Sequence, residues 1–168
     1  GYIFEQATGE EEDELPVYAF VQRDARFHGA ELELIAHLHE STGRQLDLRF
    51  VADTVRAINR TDDTPLPRIT PARAGIGLDY RHGALTFSSE FRHSFAQNRT
   101  APNETATDSH TLVNVSAAWR FKLGSTDAEL FARGTNLNNT TARVHSSFLK
   151  DVAPLPGRDV TLGLRVAF

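Results

Sequence analysis

Seven histidines in a chain of 168 residues without cysteine raise metal binding as the first chemical question. Neutral imidazole with carboxylate is an ordinary zinc set, whereas thiolate sites, disulfides and cysteine nucleophiles are excluded outright. His110 stands beside Asp108 and near Glu104, and His145 lies in a long polar stretch before the chain's last alternating segment. These four are the expected metal-touching residues. His37 and His39 form an i, i+2 pair that an extended strand would place on one face, where it could chelate. The acidic run from Glu10 to Glu14 would raise local cation concentration without holding an ion by itself.

Other chemistries find no support. Gly75-Ile76-Gly77 lacks the strand-to-helix context of a phosphate loop, and its glycines read as sites of close packing. The Asn-x-Ser/Thr sequons at Asn98, Asn103, Asn114 and Asn138 are what polar loops produce by chance. No Ser/His/Asp spacing or paired-carboxylate arrangement stands out, so no enzyme is expected. A net charge of -4, from 18 basic and 22 acidic residues, gives no electrostatic footprint for nucleic acid.

The elements that must position these residues are strands. Val160-Thr-Leu162-Gly-Leu164-Arg-Val166-Ala-Phe168 alternates apolar with small or polar residues, as do Val113 to Leu123 and Leu85 to Phe95. Ala30 to Leu38 and Leu46 to Ala52 read as a hairpin around Ser41 to Arg44. Ala74 to Tyr80, Ala128 to Gly134 and a partial strand at Tyr2 to Phe4 bring the count to about eight. Pro16 to His39 reads as one nearly continuous extended segment.

Connections alternate in length. Turns at Ser41 to Arg44, Arg81 to Gly83 and Gly124 to Asp127 are short, whereas Thr8 to Leu15, Arg60 to Arg68, Gln97 to Ser109 and Leu137 to Arg158 are long and polar. That asymmetry is the one outer-membrane barrels show between periplasmic and extracellular rims. Alternation alone also fits a soluble lipocalin-like barrel with its apolar row inward. Three features favour the membrane: segments longer than the roughly 9–11 residues a spanning strand needs; the aromatics Tyr80, Phe91, Phe95, Trp119, Phe121 and Phe168 on one face near strand ends; and the terminal Phe168, an expected signal for barrel-assembly machinery. His28, His82 and His93 share the lipid-facing parity, where no function is expected of them. The opposite, lumen-lining row is expected to hold Glu31, Glu33, His37, His39, Asp47, Arg49, Glu90, Arg92, Arg120 and Lys122. No apolar run approaches the roughly 18 residues of a membrane-spanning helix. The start at Gly1, with neither methionine nor signal-peptide pattern, reads as a processed product or a piece of something longer.

Two passages go beyond barrel physics. Leu66-Pro-Arg-Ile-Thr-Pro-Ala-Arg-Ala-Gly-Ile-Gly-Leu-Asp-Tyr80 and Glu129-Leu-Phe-Ala-Arg-Gly-Thr-Asn-Leu-Asn-Asn139 resemble the late strands of TonB-dependent receptors, with their Leu-Pro-x-Ile-Pro-Pro-like loop and Asn-Leu-x-Asn motif. Thr70 stands where that family commonly has proline. Ala25 to Glu33 is similar to the family's strand with glycine before an aliphatic-Glu pair, and His145 to Arg158 resembles the loop before the last strand in the zinc-uptake subfamily, also linked to haem. The resemblance implies an all-β, antiparallel transmembrane β-barrel, with residues 1–168 as about the last eight strands of a barrel of about twenty-two. It implies a Gram-negative outer-membrane location and import of zinc or haem as cargo, with no resident cofactor. Its partners would be outer-membrane lipid, the assembly machinery and TonB, the last through a plug domain that this chain lacks along with the earlier strands. An autonomous eight-stranded anchor or adhesin and the soluble barrel are the alternatives.

Overall fold

Period-two alternation becomes nine antiparallel strands among residues 1–167, the part of the chain that the computed structural model describes. They are β1 (Tyr2–Glu12), β2 (Leu15–Arg23), β3 (Ala25–Ser41), β4 (Arg44–Asn59), β5 (Arg73–His82), β6 (Leu85–Ser94), β7 (His110–Leu123), β8 (Thr126–Thr135) and β9 (Asp159–Ala167). Phe168, the expected assembly signal, lies outside the described residues. β3 to β9 form a seven-stranded meander in sequence order, and β1 and β2 form a separate two-stranded sheet. The seven-stranded sheet is open, with one unpaired edge on β3 and the other on β9.

The alternating pattern sorts residues onto two unlike faces. Cross-strand pairs Leu34↔Phe50, Phe50↔Ile76, Ile76↔Phe91, Phe91↔Val113 and Leu130↔Leu164 run across one face. Asp47↔Asp79, Asp79↔Ser88, Ser88↔Ser116, Ser116↔Arg133 and Arg133↔Thr161 run across the other. Among the described residues no second layer covers the apolar face: Leu32, Leu34, Trp119, Leu130 and Leu164 are all at least half exposed. A closed soluble barrel with its apolar row inward would bury these side chains, whereas the open sheet leaves them exposed. β3 and β4, of 17 and 16 residues, each reach roughly 50 Å at about 3.3 Å per residue, beyond a hydrocarbon core of about 30 Å.

Three expectations are corrected. The first long loop, Thr8 to Leu15, is instead a tight hairpin turning at Asp13 and Glu14, both at positive φ, so the acidic run crowns a β-turn. Tyr2 to Phe4 is accordingly the start of a full strand, and the count is nine where about eight were expected. The extended run through His39 breaks at Asp24, where the chain leaves one sheet for the other and Asp24 O accepts the Arg60 N–H at 2.8 Å. The third concerns His39. Register slips by one residue between His37 and His39, so His37 opposes Asp47 while His39 opposes Leu46, on the apolar parity. One inserted residue reverses the facing of all that follows it, and the expected His37/His39 chelate does not form.

Burial concentrates where the sheet ends. Ala57, Ile58, Leu66 and Ala142 are all at most 9% exposed, the first two at the long-loop end of β4 and the others in the connections after β4 and β8. Leu66 N donates to Ala57 O at 3.0 Å, which folds the first loop back onto β4, and Leu155 N donates to Ala142 O at 2.8 Å, which closes the last loop on itself.

Candidate functional site

Three connections meet at one rim: 60–72 after β4, 95–109 after β6 and 136–158 after β8. Their bases are fixed by side chains that replace missing backbone partners. Asn136, at positive φ, accepts from Thr140 N at 2.9 Å and donates from Nδ2 to Thr140 O and to Pro156 O at 2.9 and 3.1 Å. Asn139 Oδ1 accepts the Arg158 N–H at 3.0 Å, so Asn136 and Asn139, the first and last residues of Asn136-Leu-Asn-Asn139, bind the outgoing and returning limbs of the last loop together. Gln97 Nε2 likewise donates to Ile69 O at 2.8 Å, joining the second loop to the first.

Glu104 lies at the centre. Its Oε1 accepts from Arg68 N at 2.8 Å and lies 3.2 Å from Lys150 Nζ, and its Oε2 accepts from Ala101 N at 3.0 Å. Lys150 also donates to Thr105 O at 2.6 Å. His145 is 2% exposed; its Nδ1 meets Thr107 Oγ1 at 2.9 Å. His145 Nε2 is 3.2 Å from Glu104 Oε1 but off the line of a hydrogen bond, and remains buried without a hydrogen-bond partner. Burial, followed by the charge of Lys150, pushes the His145 pKa below its ordinary value, which keeps the ring neutral.

This cluster contains two of the four residues expected to touch metal, Glu104 and His145, and its cation is the Lys150 ammonium. His110 opens β7 opposite Ser94 on the polar face, with Asp108 just before it. Among the described residues, no three His, Asp or Glu side chains converge as a metal site would require. Arg68 and Lys150, which composition did not single out, organise the rim. Arg68 pairs with Glu5 of β1 and lays its guanidinium 3.7 Å from the centroid of the Phe148 ring. Between the loops and the β1–β2 hairpin lies a cavity of about 570 Å³, walled by Tyr18, Phe20, Phe148, Arg68, Glu104 and Lys150 among others.

The polar sheet face carries paired charges. His37 Nδ1 meets Asp47 Oδ1 at 2.8 Å, and Asp47 also accepts from Gln45 at 2.6 Å. Arg92 bonds Glu90 at 2.7 Å, Lys122 lies 2.7 Å from Asp127, and Glu129 is shared by Arg120 at 3.1 Å and Arg165 at 2.6 Å. Arg49 reaches over Gly77, where a Cβ would come within 3.4 Å of its guanidinium. The glycines at 75 and 77 make room for the β4 side chains Val51 and Arg49. Glu31 and Glu33 lie on the outermost strand of the sheet, exposed. On the other face, His93 Nδ1 meets Thr111 Oγ1 at 2.8 Å and His82 accepts from Arg44 at 3.1 Å, close to Tyr80 and Phe95.

Residues 2–137 match the family described as TonB dependent receptor-like, beta-barrel. The chain belongs to that family. Among solved structures, the copper transporter OprC is similar in fold, with a TM-score of 0.79 and 22% sequence identity over 97% of this chain. The chain spans 27% of the length of that protein. Family membership accords with the two motif passages: in this TonB-dependent receptor segment, Leu66 and Arg68 of the first and Asn136 and Asn139 of the second are the residues that brace the rim. Neither match distinguishes zinc or haem from other cargoes.

Proposed function

We propose that this chain is the C-terminal part of the barrel of an outer-membrane TonB-dependent transporter, and that its braced rim loops help to grip a scarce nutrient on the extracellular side. One observation carries the reading: a sheet with a bare apolar face ends in a tightly cross-linked loop cluster at one rim only. The apolar face suits lipid contact, the polar face suits a hydrated lumen, and the short turns at 42–43, 83–84 and 124–125 suit the periplasmic side. Further strands, a plug and TonB would supply closure, gating and energy, and the C-terminal strand would engage the assembly machinery. The role is transport, with no catalytic chemistry.

Zinc or haem is the proposed cargo, on the likeness of His145 to Arg158 to the zinc-uptake loop. OprC, a transporter of copper by name, makes a metal a reasonable cargo class. The test is a strain lacking its own receptor, complemented with the full-length protein and grown on limiting zinc or on haem as iron source. Rescue on either, lost when Glu104 is replaced by alanine, supports the reading; rescue on neither removes zinc and haem and leaves the family untouched.

A further inference from the structure

The rim cavity constrains the charge of its occupant, an inference that rests on the transport reading above. Among the described residues two cationic side chains line it, and both are engaged: Arg68 between Glu5 and the Phe148 ring, Lys150 between Glu104 and Thr105 O. Two carboxylates that also line it, Asp62 and Asp151, enter no ion pair among the described residues. Threonine hydroxyls hold them, Thr64 Oγ1 at 2.6 Å and Thr105 Oγ1 at 2.8 Å. Among the described residues, an anion entering here meets two carboxylates and no free cation. A cation meets the reverse, with the rings of Tyr18, Phe20 and Phe148 beside it. Arg68 on Phe148 is the cavity's own instance of that contact, a delocalised cation between an aromatic face and a carboxylate. A bare ion is poorly served, because no three ligating side chains converge among the described residues.

We infer that the cavity takes a positive charge carried behind an apolar shell, either an organic ammonium or guanidinium or a metal ion wrapped in an apolar chelator. The full-length receptor in detergent, titrated calorimetrically, tests this with four probes: benzyltrimethylammonium, the zinc–phenanthroline cation, zinc chloride and benzenesulfonate. At least one of the two shelled cations is expected to bind and the sulfonate to fail, and whichever cation binds tighter identifies the source. Asp62→Asn with Asp151→Asn is expected to weaken cation binding roughly tenfold, and Phe20→Ala to weaken it severalfold while sparing the Arg68 contacts. Binding of the sulfonate, tighter binding of zinc chloride than of its complex, binding of neither shelled cation, or indifference to Asp62 and Asp151 would each overturn the inference. Growth of the complemented strain separates the failures. Uptake that depends on the rim loops without preference for cations removes the charge class alone, whereas uptake indifferent to the loops removes the transport reading as well.

Discussion

Lys150 Nζ lies 3.2 Å from Glu104 Oε1 with 7% and 9% of the two side chains exposed, so a buried ion pair joins loops 46 residues apart. Removing one partner of such a pair strands the other charge away from water. Glu104→Ala is expected to destabilise the rim cluster by about 3–5 kcal/mol. Lys150→Met should cost less, because Glu104 keeps the Arg68 and Ala101 amides as donors. Amide exchange at 95–109 and 136–158, compared with that of the sheet, reads the effect directly. Equal acceleration in sheet and loops would refute a cluster that stands as its own unit.

Acid should loosen the same cluster. The pKa of His145 is lowered in the folded protein, so between that value and its ordinary 6.5 the unfolded loop binds a proton that the folded loop does not. Stability is therefore whole above about pH 6.5 and declines as pH falls below it. His145→Gln is expected to flatten the decline. Loop exchange rates measured at pH 7.5 and 5.0 check it, and an unchanged slope in the variant would place the sensitivity elsewhere.

Gly163 and Gly29 differ in what crowds them. A Cβ on Gly163 would meet Phe131 Cζ at 2.2 Å, a ring that can swing away at the loss of its contact with Arg165, 5.3 Å from its centroid. A Cβ on Gly29 would meet Thr54 O at 2.3 Å, and backbone cannot swing. Gly163→Ala should cost about 1–3 kcal/mol, recovered in part by Phe131→Ala. Gly29→Ala should cost more and find no such rescue. Urea unfolding of the full-length protein in detergent or liposomes distinguishes them.

Arginine on the two faces of β7 and β8 should have unequal effects. Leu130→Arg, on the exposed apolar face, is expected to destabilise by about 2–4 kcal/mol in a bilayer, whereas Ser116→Arg on the polar face should cost under about 1 kcal/mol. Folding into vesicles, followed by the electrophoretic shift on heating, compares them. Equal penalties would mean that the apolar face does not meet lipid.

Strands and their two faces were legible because a period of two leaves its mark in every residue, from Leu46 to Ala52 as from Val160 to Val166. A bulge leaves almost none. The residue inserted at Leu38 changes no composition, yet it turns His39 away from His37. The pairing of β1 with β2 was hidden under an acidic run that reads as loop, although the segment from Pro16 was legible as extended and Tyr2 to Phe4 as the start of a strand. Glu104 and His145 stood out by residue type, but their burial against Lys150 depends on closing segments tens of residues apart, which local pattern cannot encode. The family motifs were visible as words, and the structure supplies their sense: Asn136 and Asn139 pin a loop base.

The meander order of β3 to β9 has a kinetic consequence. Each strand's partner is the one just laid down, so the sheet can grow one hairpin at a time with little entropy lost per step. Rim contacts such as Arg68 with Glu104 and Lys150 with Glu104 span 36 and 46 residues and can form only after the strands beneath them are in place. The rim is therefore the last part to assemble and the first able to come apart, a surface that can rearrange around a solute while the wall below stays zipped.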